Sequence, residues 1–250
     1  MISLKSPGEI KKMDAANRIV HSVLNALASE ATPGVVLKDL DHMAETKTLE
    51  MGAIPAFKGY SGYPASVCIS VNDEVVHGIP GARKLREGDI VSFDYGVILG
   101  GFYGDAALTC GVGEVDYEGT RLMKVTREAL MRGIEQLRDG NRVSDIGNAV
   151  QSWCEERGFS VVRDYVGHGI GRELHEEPQV PNFGEGGRGP RLRTGIVLAI
   201  EPMINEGGPE VTVDPDGWTV RTKDGKRSAH FEYSVALTES GPRILGVDAA

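Results

Sequence analysis

The hydrophobic pattern of the chain switches between two periods. Ile10, Met13, Val20, Leu24 and Leu27 recur at helical spacing. Just ahead of them, Ser6-Pro7-Gly8-Glu9 supplies a cap, a proline at the first helical position and a glutamate three residues after the cap. A helix is therefore predicted from there to about residue 30, ended by Thr32-Pro33-Gly34. A second helix is predicted over 37–50, closed by Gly52. Residues 53–63 hold Pro, Gly and aromatics and read as a loop of pocket-like composition. The period then shortens: 66–71 reads as a strand, followed by Asn72-Asp73 and a second apolar run over 75–80. After a hairpin over 89–110, the helical stripe returns with Leu122, Val125, Leu130, Ile134 and Leu137. Asp139-Gly140-Asn141 breaks it, and a fourth helix is predicted over 144–156, ending at Gly158. Strands follow at 159–162, 195–200, 211–220 (with a turn at Asp214-Pro215-Asp216-Gly217) and 230–237, with a flexible run at 184–190.

The hairpin organises the rest. Its arms carry β-forming residues and its tip reads Leu99-Gly100-Gly101. A turn about Leu99-Gly100 pairs residues whose numbers sum to 199 and sets Asp94 opposite Asp105 on one face. Opposed Cβ atoms lie about 5 Å apart, so two carboxylates there repel by roughly 3 kcal/mol at an effective dielectric of 20. A shared proton or a cation relieves that repulsion. Two solvated acids on an exposed hairpin give the same spacing, and a one-residue register shift splits the pair between faces.

A degenerate internal repeat extends the argument. Leu85-Arg86-Glu87-Gly88 precedes Asp94 as Leu192-Arg193-Thr194-Gly195 precedes Glu201, at an offset of 107. Gly34, Asp39, Leu40 and Gly52 match Gly140, Asp145, Ile146 and Gly158 at an offset of 106. The chain thus reads as one catalytic domain over 1–250 with related halves at about 6–110 and 114–237, and no linker between them. Asp94 and Glu201 become equivalent positions.

Charge and cysteine count narrow the function class. The net charge of −9 lacks the basic footprint of a nucleic-acid binder. Cys68, Cys110 and Cys154 are widely spaced and odd in number, which fits reduced thiols in a cytoplasmic protein rather than a disulfide framework or a thiolate zinc site. No signal peptide or membrane-spanning run is legible.

Each half delivers acids on strands: Asp94 and Asp105, then Glu201 and Glu232. His168 sits between glycines in Gly167-His168-Gly169, which lets a ligand approach closely. A lone histidine is more often a core or surface residue. Four acids beside it change the balance, because that much negative charge needs counter-charge to be buried. Two divalent cations would supply it, Mn²⁺, Fe²⁺ or Co²⁺ suiting the oxygen-rich set and Zn²⁺ remaining open.

The motifs together resemble the type I methionine aminopeptidases of the bacterial kind, over essentially the whole chain. They are Val76-His77-Gly78-Ile79-Pro80, Ser92-Phe93-Asp94-Tyr95-Gly96 with Asp105, Gly167-His168-Gly169-Ile170-Gly171, His175-Glu176-Glu177-Pro178, Ile200-Glu201-Pro202 and Phe231-Glu232. The resemblance implies an α+β "pita-bread" fold of two pseudo-symmetric halves, a central antiparallel sheet with helices on its outer face. It implies that Asp94 binds one metal, that His168 and Glu201 bind the other, and that Asp105 and Glu232 bridge them. It further implies removal of N-terminal methionine from nascent chains at the ribosome, with a small second residue preferred. Glu201 would shuttle a proton, His175 would stabilise the oxyanion and His77 would hold the scissile amide. An apolar methionine pocket falls on Tyr60, Tyr63, Cys68, Met203 and Trp218. Leu174 departs from the phenylalanine often found there in the family, which bears on pocket shape. A monomer with no membrane or nucleic-acid partner is expected. An X-Pro dipeptidase or aminopeptidase P relative shares the five ligands, and a non-catalytic binding protein can share the fold.

Overall fold

The computed structural model describes residues 2–248. Its helices form on the predicted stripes. α1 (Pro7–Glu30) opens on a complete capping box: Glu9 N donates to Ser6 Oγ, and Ser6 N donates to the Glu9 carboxylate. α2 (Leu37–Glu50) ends at Gly52, whose φ of +74° is left-handed. α3 (Tyr117–Glu135) is capped by Asp116, which accepts from Gly119 N at 2.8 Å. α4 (Val143–Glu155) completes the set.

The strands are short. In chain order they are β1 (Ile54–Pro55), β2 (Cys68–Val71), β3 (Glu74–Val76), β4 (Ile90–Leu99), β5 (Phe102–Gly111), β6 (Ser160–Val161), β7 (Gly167–Gly169) and β8 (Glu176–Val180). Then come β9 (Val197–Ile200), β10 (Met203–Asn205), β11 (Val211–Val213), β12 (Val220–Thr222), β13 (Ser228–His230), β14 (Glu232–Thr238) and β15 (Gly241–Ile244). The loop predicted over 53–63 thus contains one edge strand, and the strand predicted over 230–237 is divided at Phe231.

A nine-stranded sheet runs β1-β4-β5-β14-β9-β7-β8, with β2 also on β4 and β15 also on β14; every pairing is antiparallel. Alternation sorts its two faces. Phe93, Tyr95 and Val97 of β4 pack under Val20, Leu24 and Leu27 of α1 and Leu40 of α2. Leu198 and Ile200 of β9 and Val235 and Leu237 of β14 pack under Leu130 and Ile134 of α3 and Ile146 of α4. The other face, carrying Asp94, Asp105 and Glu232, is left for the site.

The central hairpin pairs residues summing to 201, with Asp94 opposite Ala107 and Asp105 opposite Gly96. The expected turn about Leu99-Gly100 is therefore displaced by one residue, to Gly100-Gly101. Both glycines have positive φ, +58° and +79°, as a two-residue hairpin turn demands and a leucine resists. Because the sum changed by two, face parity survived. The two acids share a face as diagonal neighbours instead of a direct pair.

The repeat recurs in the hydrogen bonds. Gly34 N donates to Leu85 O and Leu85 N to Val35 O; Gly140 N donates to Leu192 O and Leu192 N to Asn141 O. Val36 bridges Lys84 as Arg142 bridges Arg191. Each correspondence keeps the offsets of 106 and 107.

The run 184–190 is pinned rather than loose. Gly187 N donates to Asp145 Oδ1, Arg188 N to Ser144 Oγ and Gly184 N to Gln151 Oε1, all side chains of α4. The N-terminal segment is held as firmly: Lys5 N donates to Gly195 O, and Lys5 Nζ is buried against the Glu176 carboxylate. Among the described residues, no helix is long and apolar enough to cross a membrane.

Candidate metal centre

Four strands bring the acids together. Asp94 comes from β4, Asp105 from β5, Glu232 from β14, and Glu201 follows β9 directly. β5 and β14 are joined beside the site by a side chain, since Ser234 Oγ donates to Asp105 O and accepts from Asp105 N. β7 lies next to β9 and sets His168 opposite Ala199. Its Nε2 is then 3.4 Å from Glu201 Oε1 and 3.9 Å from Asp105 Oδ2.

The tautomer of His168 follows from its other nitrogen. Nδ1 is 2.9 Å from the Gly169 carbonyl, which can only accept, so Nδ1 carries the hydrogen. Nε2 is left as a lone pair aimed at carboxylate oxygens. Burial, and then the neighbouring His175, hold His168 down at about 3, so protonation does not relieve this contact. Asp94 Oδ1, Asp105 Oδ1 and Glu232 Oε1 are buried without any hydrogen-bond partner. Burial pushes Asp94 up to about 7. Asp105, Glu201 and Glu232 are raised well above the ordinary carboxyl range, by burial first and then by repulsion from one another or from Asp94. Lone pairs facing lone pairs away from bulk water need protons or cations between them. The ligand atoms of Asp105, His168 and Glu232 lie within 4.8 Å of one another, as do those of Glu201, His230 and Glu232. An oxygen-rich set with neutral imidazole nitrogens fits hard or borderline divalent cations.

Asp94, Asp105, His168, Glu201 and Glu232 open on a cavity of about 200 Å³. His77 and His175 line it with the acids, as do Tyr60, Tyr63, Cys68 and Trp218. His77 stands on left-handed backbone, φ +61°, a strained conformation for a non-glycine residue of the kind found at functional sites. Its ring packs on Tyr165 and Trp218, and burial holds it down at about 4. His175 stacks edge-on against His168 with ring centres 4.3 Å apart, and its Nδ1 is 2.7 Å from Tyr60 Oη. A larger groove of about 710 Å³ follows α3, lined by Lys124, Arg127 and Glu128 among others. It lacks the clustered acids, so the smaller cavity is the candidate site.

Met203, expected in the pocket, is absent from the cavity wall. It begins β10, outside the main sheet, and is buried among Val75, Val76, Val162 and Val220. Phe57, Val166 and Leu174 take wall positions instead. Motif reading also passed over His230. It is fully buried, both ring nitrogens lack partners, and Nε2 is 3.8 Å from Glu201 Oε2. Its position two residues before Glu232, on the same face of an extended chain, was the available signal.

Residues 11–239 match metallopeptidase family M24. A methionine aminopeptidase of Clostridium perfringens is 52% identical over 245 residues, covering 98% of each chain. The crystal structure of a methionine aminopeptidase from Thermotoga maritima superposes with a TM-score of 0.97 at 47% identity, over 99% of this chain and 100% of that one. A prolidase from Pyrococcus furiosus shares the fold, with a TM-score of 0.78 at 23% identity over 99% of this chain and 66% of that one. The curled antiparallel sheet under four helices is the pita-bread fold, and the chain belongs to metallopeptidase family M24, among its methionine aminopeptidases.

Proposed function

We propose that this chain is a methionyl aminopeptidase that hydrolyses the first peptide bond of methionyl peptides and of nascent chains at the ribosome, preferring a small second residue. The observation that carries this reading is the gathering of four acids around one cavity beside a histidine whose lone pair lies 3.4 Å from Glu201 and 3.9 Å from Asp105. Asp94 would hold one divalent cation, His168 and Glu201 the other, with Asp105 and Glu232 shared; Mn²⁺, Fe²⁺, Co²⁺ or Zn²⁺ suits the set. Such cations offset the carboxylate charge, polarise a scissile carbonyl and acidify water. The chain acts as a monomer, and as one catalytic domain whose halves carry recurring hydrogen bonds.

The remaining work falls to the protein. Glu201 takes the proton of the attacking water and returns it to the leaving amine. His175 donates a hydrogen bond to the developing oxyanion. His77 holds the amide of the second residue and leaves little room there, so small residues are favoured. The methionine side chain lies among Tyr60, Tyr63, Cys68 and Trp218. Cys68 serves as an apolar wall, since burial pushes its thiol well up and keeps it neutral. Leu174 replaces an aromatic wall with an aliphatic one.

The test is release of free methionine from Met-Ala-Ser by protein supplied with Co²⁺ or Mn²⁺. Met-Lys-Ser and Met-Phe-Ser should yield little. An apolar pocket separates side chains by only about 1–3 kcal/mol per methylene, so leucine at the first position should be cut slowly rather than refused. Cleavage confined to X-Pro peptides would assign the chain to the prolidase branch. Absence of all cleavage, with metal bound, would make it a binding protein.

A further inference from the structure

Tyr60 reaches the cavity from a rigid turn. Its N–H donates to Phe57 O and its carbonyl accepts from Tyr63 N, both at 2.9 Å. Gly59, Ser61 and Gly62 are all left-handed, with φ of +85°, +48° and +89°. The turn places the Tyr60 hydroxyl 2.7 Å from His175 Nδ1 and packs the two rings with centres 5.3 Å apart.

That contact has two possible polarities. Either the phenol donates to a bare Nδ1, or an Nδ1–H donates to the phenol oxygen. In its neutral form the His175 ring carries one N–H only. A phenol, with its pKa of about 10, is the more acidic donor, and an imidazole lone pair is the more basic acceptor. The first polarity is therefore favoured, and it puts the ring hydrogen on Nε2. Nε2 has no protein hydrogen bond among the described residues and remains available to substrate.

We propose that Tyr60 is a positioning residue: its hydroxyl fixes the His175 tautomer so that Nε2–H is the donor the oxyanion meets. This rests on the role proposed above for His175. The pocket contact of Tyr60 comes from its ring and the tautomer from its hydroxyl, so the two functions separate in one conservative change.

Tyr60→Phe keeps the ring and removes the hydroxyl, at a position 38% exposed where folding is little affected. On Met-Ala-Ser, kcat should fall roughly three- to tenfold, the effect of one neutral hydrogen bond, with KM within about twofold of the parent. Nitrogen-15 spectra of the zinc-loaded protein give the second readout, with the His175 signals assigned by their loss in His175→Gln. The parent should show Nδ1 bare and Nε2 protonated, and Tyr60→Phe a mixture of tautomers. A protonated Nδ1 in the parent overturns the proposal, as does a Tyr60→Phe variant with unchanged kcat and unchanged His175 signals. If the parent releases no methionine, the proposed function fails instead, and the nitrogen spectra still decide the tautomer.

Discussion

Withdrawing metal from the acid cluster should make folding stability fall with pH, and the sign follows from the groups involved. In the unfolded chain the four carboxyls ionise near pH 4. In the metal-free fold Asp94 is pushed up to about 7, and Asp105, Glu201 and Glu232 are raised well above the ordinary range. The native state therefore holds protons that the unfolded state has released. The stability tied to them is fully present below the unfolded pKa and is lost as pH rises through the folded values. For Asp94 the full loss is about 4 kcal/mol before cavity water screens part of it. The histidines act in the opposite sense. His77, His168 and His230 are held down at about 4, 3 and 3, and His21 and His175 are lowered too. They make stability rise with pH through about 6.5, and their contribution fades over the next pH unit.

The decisive window is thus pH 7 to 8, where the histidine contribution fades and the raised carboxyls still titrate. Each proton kept by the native state costs about 1.4 kcal/mol of stability per pH unit there. For a chain of this size, that lowers Tm by about 3–6 °C per pH unit. Thermal melts in chelator at three pH values across the window measure it, and parallel melts with Co²⁺ should be nearly flat, because cations replace the protons. A metal-free Tm that stays level or rises from pH 7 to 8 would refute the reasoning.

Two further outcomes test the same architecture. Asp105→Asn converts an acid expected to serve both cations into a neutral amide that donates on one side; metal affinity should fall by at least about tenfold, read by calorimetry, and unchanged affinity for two equivalents contradicts a shared ligand. Lys5→Met leaves the Glu176 charge buried, at 16% side-chain exposure, with only the N–H groups of Arg172 and Glu173 to hold it. Urea melts should show a loss of about 2–4 kcal/mol, with Lys5→Met/Glu176→Gln recovering part of it; equal losses in single and double variants would show the pair to be unimportant.

What was legible in the sequence was local or periodic. The Ser6–Glu9 box, the apolar stripes and the paired glycines at Gly34/Gly140 and Gly52/Gly158 each depend on neighbours along the chain, and all appear as read. The hairpin register was misread by one turn position, because only positive φ at both tip residues selects Gly100-Gly101. Side-chain alternation was robust to that error, which is why the shared face of Asp94 and Asp105 survived. Contacts across the sheet were less legible. Met203 belongs to a different three-stranded sheet, a fact of topology that an apolar residue near Glu201 does not reveal. His230 sits beside Glu201 through the pairing of β10 with β13, and its place two residues before Glu232 was the one sign of this along the chain.

The duplicated scaffold is used asymmetrically, and this accounts for how the site divides its labour. β2 flanks β4 as β7 flanks β9, and each outer strand aims a side chain at the acid of its inner neighbour's half. On the first side that residue is Cys68, directly opposite Asp94. On the second it is His168, against Glu201. A thiol pushed up by burial stays neutral and offers only surface, whereas an imidazole held neutral offers a lone pair. The first half can therefore wall a pocket, with Tyr60, Tyr63 and Phe57 joining Cys68. The second half can contribute the extra nitrogen donor and carries His175 beside it. On the roles proposed above, related backbones supply equivalent acids, while the side chains flanking them separate recognition of a side chain from chemistry on the adjoining bond.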